Sequence, residues 1–281
     1  MESQRKHSRV FSFEFFPPKT AEGKAKLRQA WQQLGELKPK YFSCTYGAGG
    51  STREGTLETV LEIRAAGFEA APHISCVASS RADLKTQLEK YRSHGIRHIV
   101  ALRGDLPSGL AAIGELRYAN ELVAFIRETT GDWFQIDVAC YPEYHPQSRS
   151  AADEIANFKR KVAAGANSAI TQYFYTAEAY FRFIGDCEAA GITVPIVPGI
   201  MPIGNFAQLA RFSDACGAEI PRWLRFRLES FRDDAASIRA YGLDVVTQLC
   251  DELLRAGAPG LHFYTLNQAG LTTEIWRRLS L

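Results

Sequence analysis

The sequence predicts an α/β fold closed into a (β/α)8 TIM barrel. Short apolar runs rich in Ile, Val, Phe and Tyr alternate with longer amphipathic segments, and such alternation implies a parallel sheet. Eight repeats can be counted in 281 residues, the length of one α/β barrel. No Pro/Gly/Ser-rich linker or break in composition divides the chain. A single barrel domain over 1–281 is therefore expected, with residues 1–9 as a polar N-terminal tail. A doubly wound open sheet is the competing architecture.

The strands are expected at 10–16, 41–46, 70–76, 98–103, 136–141, 168–174, 194–200 and 260–266. Between the first two, residues 20–37 place Leu27, Ala30, Trp31 and Leu34 at helical spacing. Residues 52–66 do the same with Leu57, Val60, Leu61 and Ile63. The pattern continues at 81–94, 118–129, 151–164, 177–190 and 205–215. Gly67, Gly95, Gly165 and Gly191 fall where a helix should stop. An extra helical segment, 221–256, precedes the eighth strand.

Composition narrows the function classes. The chain is 46% hydrophobic and 23% charged, with a net charge of +2, so no basic field argues for nucleic acid. The N-terminal residues lack an apolar stretch resembling a signal peptide, and no run approaches the roughly 20 apolar residues of a membrane span. Cys44, Cys76, Cys140, Cys187, Cys216 and Cys250 are widely spaced, which points to reduced thiols and a cytoplasmic location. His94 and His98 have metal-ligand spacing, but Gly95 separates them and no third ligand is evident, so a surface or strand-edge role is favoured and no metal is expected.

The run from Phe11 to Pro18 (FSFEFFPP) carries the strongest chemical signal: an apolar, β-prone segment with one carboxylate in it. A buried carboxylate is costly unless paired, solvated or neutralised. Alone, Glu14 would be read as a salt-bridged or strand-end residue. Alternation places Ser12, Glu14 and Phe16 on one face and Phe11, Phe13 and Phe15 on the other. The phenylalanines suit packing against outer helices, so Glu14 should point into the barrel. Desolvated there, it should have a raised pKa suited to a general acid. The active site of such a barrel lies at the C-terminal ends of the strands. Polar residues converge there: Thr45-Tyr46, His73, Arg103-Gly104-Asp105, Tyr141 with His145, Gln172 and Tyr264. Residues 47–50 form a glycine-rich turn before a helix, able to cradle an anion or simply to make a tight turn. The basic run Lys159-Arg160-Lys161 ends a helix, where cations suit the dipole equally well. No Walker A loop, GxSxG elbow or HExxH motif is present.

Eight blocks in order, FEFFPPK from Phe13, TYGA from Thr45, APH ending at His73, HIVALRGD ending at Asp105, YPE from Tyr141 with His145-Pro146, AITQ ending at Gln172, PGI ending at Ile200 and HFYTLN from His262, resemble the 5,10-methylenetetrahydrofolate reductases, of the bacterial type consisting of the catalytic part alone. The likeness runs from Phe11 to Asn267. It implies an FAD-containing (β/α)8 barrel, an oxidoreductase acting on CH–NH donors. The implied reaction reduces 5,10-methylenetetrahydrofolate to 5-methyltetrahydrofolate with NADH or NADPH, by a ping-pong hydride relay through FAD that supplies methyl groups for methionine synthesis.

The resemblance also implies residue roles. Glu14 matches the general acid that helps open the folate's imidazolidine ring, and Asp105 an aspartate between flavin and folate. Thr45, Tyr46, Ala48, His73, Arg103, Gly104, Asp105, Tyr118, Ala119, Tyr141 and His145 match FAD contacts, as do Asn157, Arg160 and Lys161. Glu154 stands where an aspartate is expected, with Asp153 adjacent, and either carboxylate can take that role. Glu14, Thr45, Gln172, Gln208, Phe212 and Gln268 match substrate-contacting positions; at Gln268 some members have arginine. The likeness implies a homo-oligomer, while charge and hydropathy already argue against a nucleic-acid or membrane partner. It also implies no control by S-adenosylmethionine, since no room is left for a C-terminal regulatory domain. Two other classes compete with this reading. A barrel lyase using a Schiff-base lysine is disfavoured because no strand places a lysine late in the interior. A non-catalytic flavin- or pterin-binding barrel has no use for Glu14.

Overall fold

The computed structural model describes residues 1–46, 53–104 and 114–281. Among these described residues, nine parallel strands in the order β7-β6-β5-β4-β3-β2-β1-β9-β8 form a nearly closed barrel wrapped by helices. They are β1 (Val10–Phe15), β2 (Tyr41–Cys44), β3 (Ala70–Ser75), β4 (His98–Leu102), β5 (Gln135–Cys140), β6 (Ser168–Thr171), β7 (Ile196–Val197), β8 (Gly199–Ile200) and β9 (Gly260–Tyr264). The eight-repeat expectation and these nine strands differ at one place. The run 194–200 is interrupted at Pro198, which has no N–H to give a ladder. Its first half pairs with β6 and its second with β9. The Pro198 carbonyl still accepts from the His262 amide at 2.9 Å, which helps to close the seam.

The helices are α1 (Glu2–Arg5), α2 (Ala21–Gly35), α3 (Arg53–Ala65), α4 (Arg81–Ser93), α5 (Ala119–Thr130), α6 (Ala151–Ala163), α7 (Ala177–Ala189), α8 (Phe206–Cys216), α9 (Arg222–Ser230), α10 (Ala235–Ala256) and α11 (Gly270–Arg278). Their starts follow from capping chemistry: Thr20 Oγ1 accepts from the Gly23 amide at 3.0 Å, and Ser80 and Asp83 form a capping box at α4. α9 and α10 are the extra helical material expected before the last strand. α1 lies within the residues read as a polar tail. Its Gln4 is fully buried, and its side chain receives the Ile196 amide and donates to the Val194 carbonyl.

Strand alternation separates two cores. The outer one lies between sheet and helices, where Phe13 and Phe11 pack on Trp276 of α11 at centroid distances of 5.8 and 5.1 Å. The phenylalanine face of β1 therefore points outward, as its spacing predicts. The inner core is small: Tyr41, Ala71, Val100 and Ile170 cluster inside the barrel. Gly260 permits the tight start of β9, since a Cβ there would lie 1.7 Å from the Val10 carbonyl oxygen. The six cysteines are free thiols, five of them buried.

Candidate active site

Glu14 sits near the C-terminal end of β1, in register with Ser43 of β2 and Tyr264 of β9. Its side chain is 14% exposed and points into the barrel. Among the described residues, three groups converge on one carboxylate oxygen, Oε2. His262 Nε2 lies at 3.2 Å and the Ser43 hydroxyl donates at 3.4 Å. His73 Nε2 also lies at 3.2 Å, an ion-pair contact poorly aligned for a hydrogen bond.

These neighbours correct the expected pKa. Burial does push the Glu14 carboxyl up. The charge of His73, and then the hydrogen bond and charge of His262, outweigh burial and hold it at about 2. Glu14 is thus an ionised carboxylate braced by imidazoles, not a lone acid with a raised pKa. Burial was legible in the sequence, but the register that brings His262 beside Ser12 was not.

A cavity of about 540 Å3 opens at the C-terminal ends of β3, β4 and β5. Tyr46, Arg103, Gly104, Tyr118, Ala119, Tyr141, His145, Glu154, Asn157 and Lys161 all line it, as does Ser75. Ser75 lies two residues beyond His73 on the inner face of β3, so one strand links the cavity wall to the partner of Glu14. Gly104 (φ +89°) is needed for close packing there, since a Cβ would lie 2.1 Å from Ser75 Oγ. Between the two carboxylates left open by the sequence, Glu154 is the one in the cavity wall. It is buried and accepts from the Ser148 hydroxyl at 2.6 Å and from the His145 amide at 3.3 Å, which pins the loop before α6. Asp153 instead donates its backbone amide to the Ser150 hydroxyl that caps the helix start.

Lys161 gives this cavity its cationic wall. Its ammonium donates to the Ala139 carbonyl at 2.7 Å and lies 5.5 Å from the centre of the Tyr141 ring. Burial pushes its pKa down, with the Glu154 charge opposing. Among the described residues it makes no ion pair, so the cavity holds a cation not neutralised by a direct partner. With the aromatic rings of Tyr46, Tyr118 and Tyr141, it suits a long ligand that is flat and aromatic in part and anionic in part.

The other expected residues scatter more widely. The Thr45 backbone ties β1 to α3: its amide donates to the Phe15 carbonyl and its own carbonyl accepts from the Thr56 hydroxyl. Arg160 is exposed and bonds to Asn157 Oδ1, outside the cavity lining. Gln172 follows β6, with its side-chain oxygen accepting from the Tyr173 amide at 3.0 Å. Gln208 and Phe212 lie one turn apart on α8, which follows β8, and Gln268 is exposed after β9. Ala48, the 47–50 turn and Asp105 lie outside the described residues. The sequence reading passed over Ser43, His262 and Asp137 as functional candidates. Asp137 carried the same signal as Glu14, a carboxylate inside an apolar strand (QIDVAC).

A family model described as methylenetetrahydrofolate reductase matches residues 1–280. The chain is 43% identical over 271 residues to the 5,10-methylenetetrahydrofolate reductases of Salmonella typhimurium and Escherichia coli, covering 96% of this chain and 90% of each relative. It is 39% identical to methylenetetrahydrofolate reductase (NADH) 1 of Arabidopsis thaliana, over 92% of this chain and 46% of that one. Among solved structures, an uncharacterized protein from Clostridium thermocellum that binds two copies of 5-methyl-5,6,7,8-tetrahydrofolic acid shares the fold. Its TM-score is 0.70 at 16% identity, covering 99% of this chain and 96% of that one.

Proposed function

The chain belongs to the methylenetetrahydrofolate reductase family, and from that premise we propose that it reduces 5,10-methylenetetrahydrofolate to 5-methyltetrahydrofolate, with electrons from NADH or NADPH passing through FAD. The observation that carries this reading is the juxtaposition, through β3, of an imidazole-braced carboxylate at the barrel mouth with an aromatic cavity walled by a lysine.

The cavity fits the cofactor on its own chemistry. Lys161 offers charge to a diphosphate, and Tyr46, Tyr118 and Tyr141 offer faces to flat rings. Bound there, FAD supplies the two-electron carrier that lets a nicotinamide and a folate react in turn. Glu14 has the task of protonating the folate ring nitrogen as the imidazolidine opens. His73 and His262, in contact with its Oε2, are the nearest groups among the described residues able to restore the proton that Glu14 gives up. Asp105, next to Gly104 in sequence, is assigned the electrostatic stabilisation of the cation that ring opening creates. Gln172, Gln208, Phe212 and Gln268 are assigned to the folate, on loops and helices that follow the strands.

Purified protein should be yellow. Its flavin absorbance should bleach anaerobically with NADH or NADPH and return on adding methylenetetrahydrofolate. Double-reciprocal plots should be parallel, as alternating occupancy of one site requires. Colourless protein that takes up no flavin, or intersecting plots, would overturn the reading.

A further inference from the structure

The end of the first strand is fastened on one flank by side chains in place of a ladder. The register of β1 with β9 ends at the Glu14–Tyr264 pair. Beyond it, the Glu14 carbonyl accepts twice from Thr265, from the hydroxyl at 2.6 Å and from the amide at 3.3 Å. Two residues on, the Asn267 carboxamide takes both backbone groups of Phe16. Its Oδ1 accepts from the Phe16 amide at 3.0 Å, and its Nδ2 donates to the Phe16 carbonyl at 2.9 Å. The Thr265 hydroxyl also accepts from the Asn267 amide at 3.2 Å, which joins the two halves of this clip. On the other flank the Thr45 amide holds the Phe15 carbonyl at 2.8 Å. The backbone of residues 14–16 is thus held from both sides, in the segment whose carboxylate meets partners from β2, β3 and β9.

The clip carries a conformational cost. Leu266 (φ +52°) and Asn267 (φ +59°) both lie in the left-handed region. Non-glycine residues stay there only where their surroundings over-determine them, and such residues gather at functional sites. Asparagine is among the few side chains that enter this region readily. Its amide also carries an acceptor and a donor on one planar group, as the peptide of a neighbouring strand would. Asn267 so replaces the ladder that the chain gives up as it turns toward α11. His262 precedes Thr265 by three residues on the same stretch of chain. One segment, 262–267, therefore places both the Glu14 backbone and the imidazole that meets its Oε2 at 3.2 Å. The Gln268 amide donates to the Thr265 carbonyl at 3.0 Å, so the residue assigned to the folate hangs from the same turn.

We propose that Thr265 and Asn267 are positioning residues for the acid: by fixing the backbone of residues 14–16 they keep Glu14 Oε2 within reach of His262 and His73. Both act through the strand end and neither needs to touch folate or flavin. A misplacement of about 1 Å is enough to cost about 10²-fold in rate. The placement of Glu14 can be read without any activity; only its kinetic consequence rests on the proposed reduction.

Asn267→Gly deletes both bonds to Phe16 and suits the left-handed backbone, so it opens the clip without straining the turn. Thr265→Val deletes the hydroxyl and keeps the shape, while Thr265→Ser keeps the hydroxyl. In crystals of Asn267→Gly, the distance from Glu14 Oε2 to His262 Nε2 should open from 3.2 Å to beyond about 4 Å, past the reach of an ion pair. Anaerobic stopped-flow absorbance then reads the two half-reactions. In Asn267→Gly and Thr265→Val, flavin reduction by NAD(P)H should stay within about twofold of wild type. The limiting rate of reoxidation by methylenetetrahydrofolate should fall about 10- to 100-fold at an unchanged half-saturating concentration. Thr265→Ser should restore that rate. Should one of the two variants fold poorly, the other decides. A carboxylate still in place, an unchanged reoxidation rate or equal losses in both halves overturns the proposal. So does a raised half-saturating concentration with the limiting rate kept, which would make the clip a substrate contact instead. A displaced carboxylate in a protein with no folate activity supports the proposal and counts only against the assigned reaction.

Discussion

Replacing Glu14 with glutamine separates the two halves of the proposed reaction, and the site geometry sets the size of the effect. A carboxyl held at about 2 is protonated in roughly one molecule in 10^5 at pH 7. Fetching that proton from bulk water would cost about 7 kcal/mol. A general acid usually returns about 10²- to 10⁴-fold, or roughly 3–5 kcal/mol. A solitary Glu14 would thus lose more than it gives, whereas Glu14 served by His73 and His262 at 3.2 Å draws on protons already in the site. Glu14→Gln keeps the shape and an acceptor oxygen but cannot pass a proton on. Anaerobic stopped-flow absorbance should show flavin reduction by NAD(P)H within about twofold of wild type. Reoxidation by methylenetetrahydrofolate should fall by about 10²- to 10⁴-fold. Equal losses in both halves, or full retention of the second, would refute the assigned role.

Three further outcomes are expected. Glu14 drops from an ordinary 4.5 to about 2 and Asp137 from 3.8 to about 2, which corresponds to about 3 and about 2 kcal/mol of stability. Both carboxyls are depressed by folding, so this stability is fully present above about pH 4.5 and lost as pH falls toward 2. Denaturant midpoints measured from pH 6 to pH 2.5 should fall steeply in wild type and less in Glu14→Gln; a flat profile would count against the ion cluster. Lys161→Ala should weaken FAD retention about tenfold in equilibrium dialysis, a loss of roughly 1.4 kcal/mol; unchanged affinity would remove Lys161 from the cofactor site. Trp276→Ala takes away the ring on which Phe11 and Phe13 pack and should cost about 3–5 kcal/mol, lowering Tm by about 10 °C in calorimetry, with a drop under 2 °C contradicting the outward packing of β1.

Much of the fold was legible because hydrophobic period and capping chemistry are local. β1 begins at the expected residue and ends one earlier, and the helix expected over 151–164 is α6, Ala151–Ala163. The split seventh strand was legible in principle, since Pro198 cannot extend a ladder. The inward aim of Glu14 followed from alternation alone. Its protonation state did not, because that depends on which side chains arrive from β3 and β9. The same limit hid Asp137, whose three donors come from β2, β4 and β6. Of the cavity residues, Tyr46, Arg103, Gly104, Tyr141 and His145 were legible as polar groups at strand ends, whereas Tyr118, Ala119, Glu154 and Asn157 follow from the family resemblance alone; Lys161, on local grounds, was equally well explained as a helix-end cation.

The pairing of β1 with β9 has a consequence for how this molecule comes into being. Ser12 stands beside His262 and Glu14 beside Tyr264, so the first strand meets the last across about 250 residues. Contacts so distant along the chain form late and slowly. A nascent chain that has emerged as far as β6 already carries Glu14, Ser43 and His73, but it has neither the strand that closes the ring nor the histidine that meets the carboxylate. The proton-handling cluster therefore arises only with the last strand of the barrel, and no shorter folding intermediate can hold it.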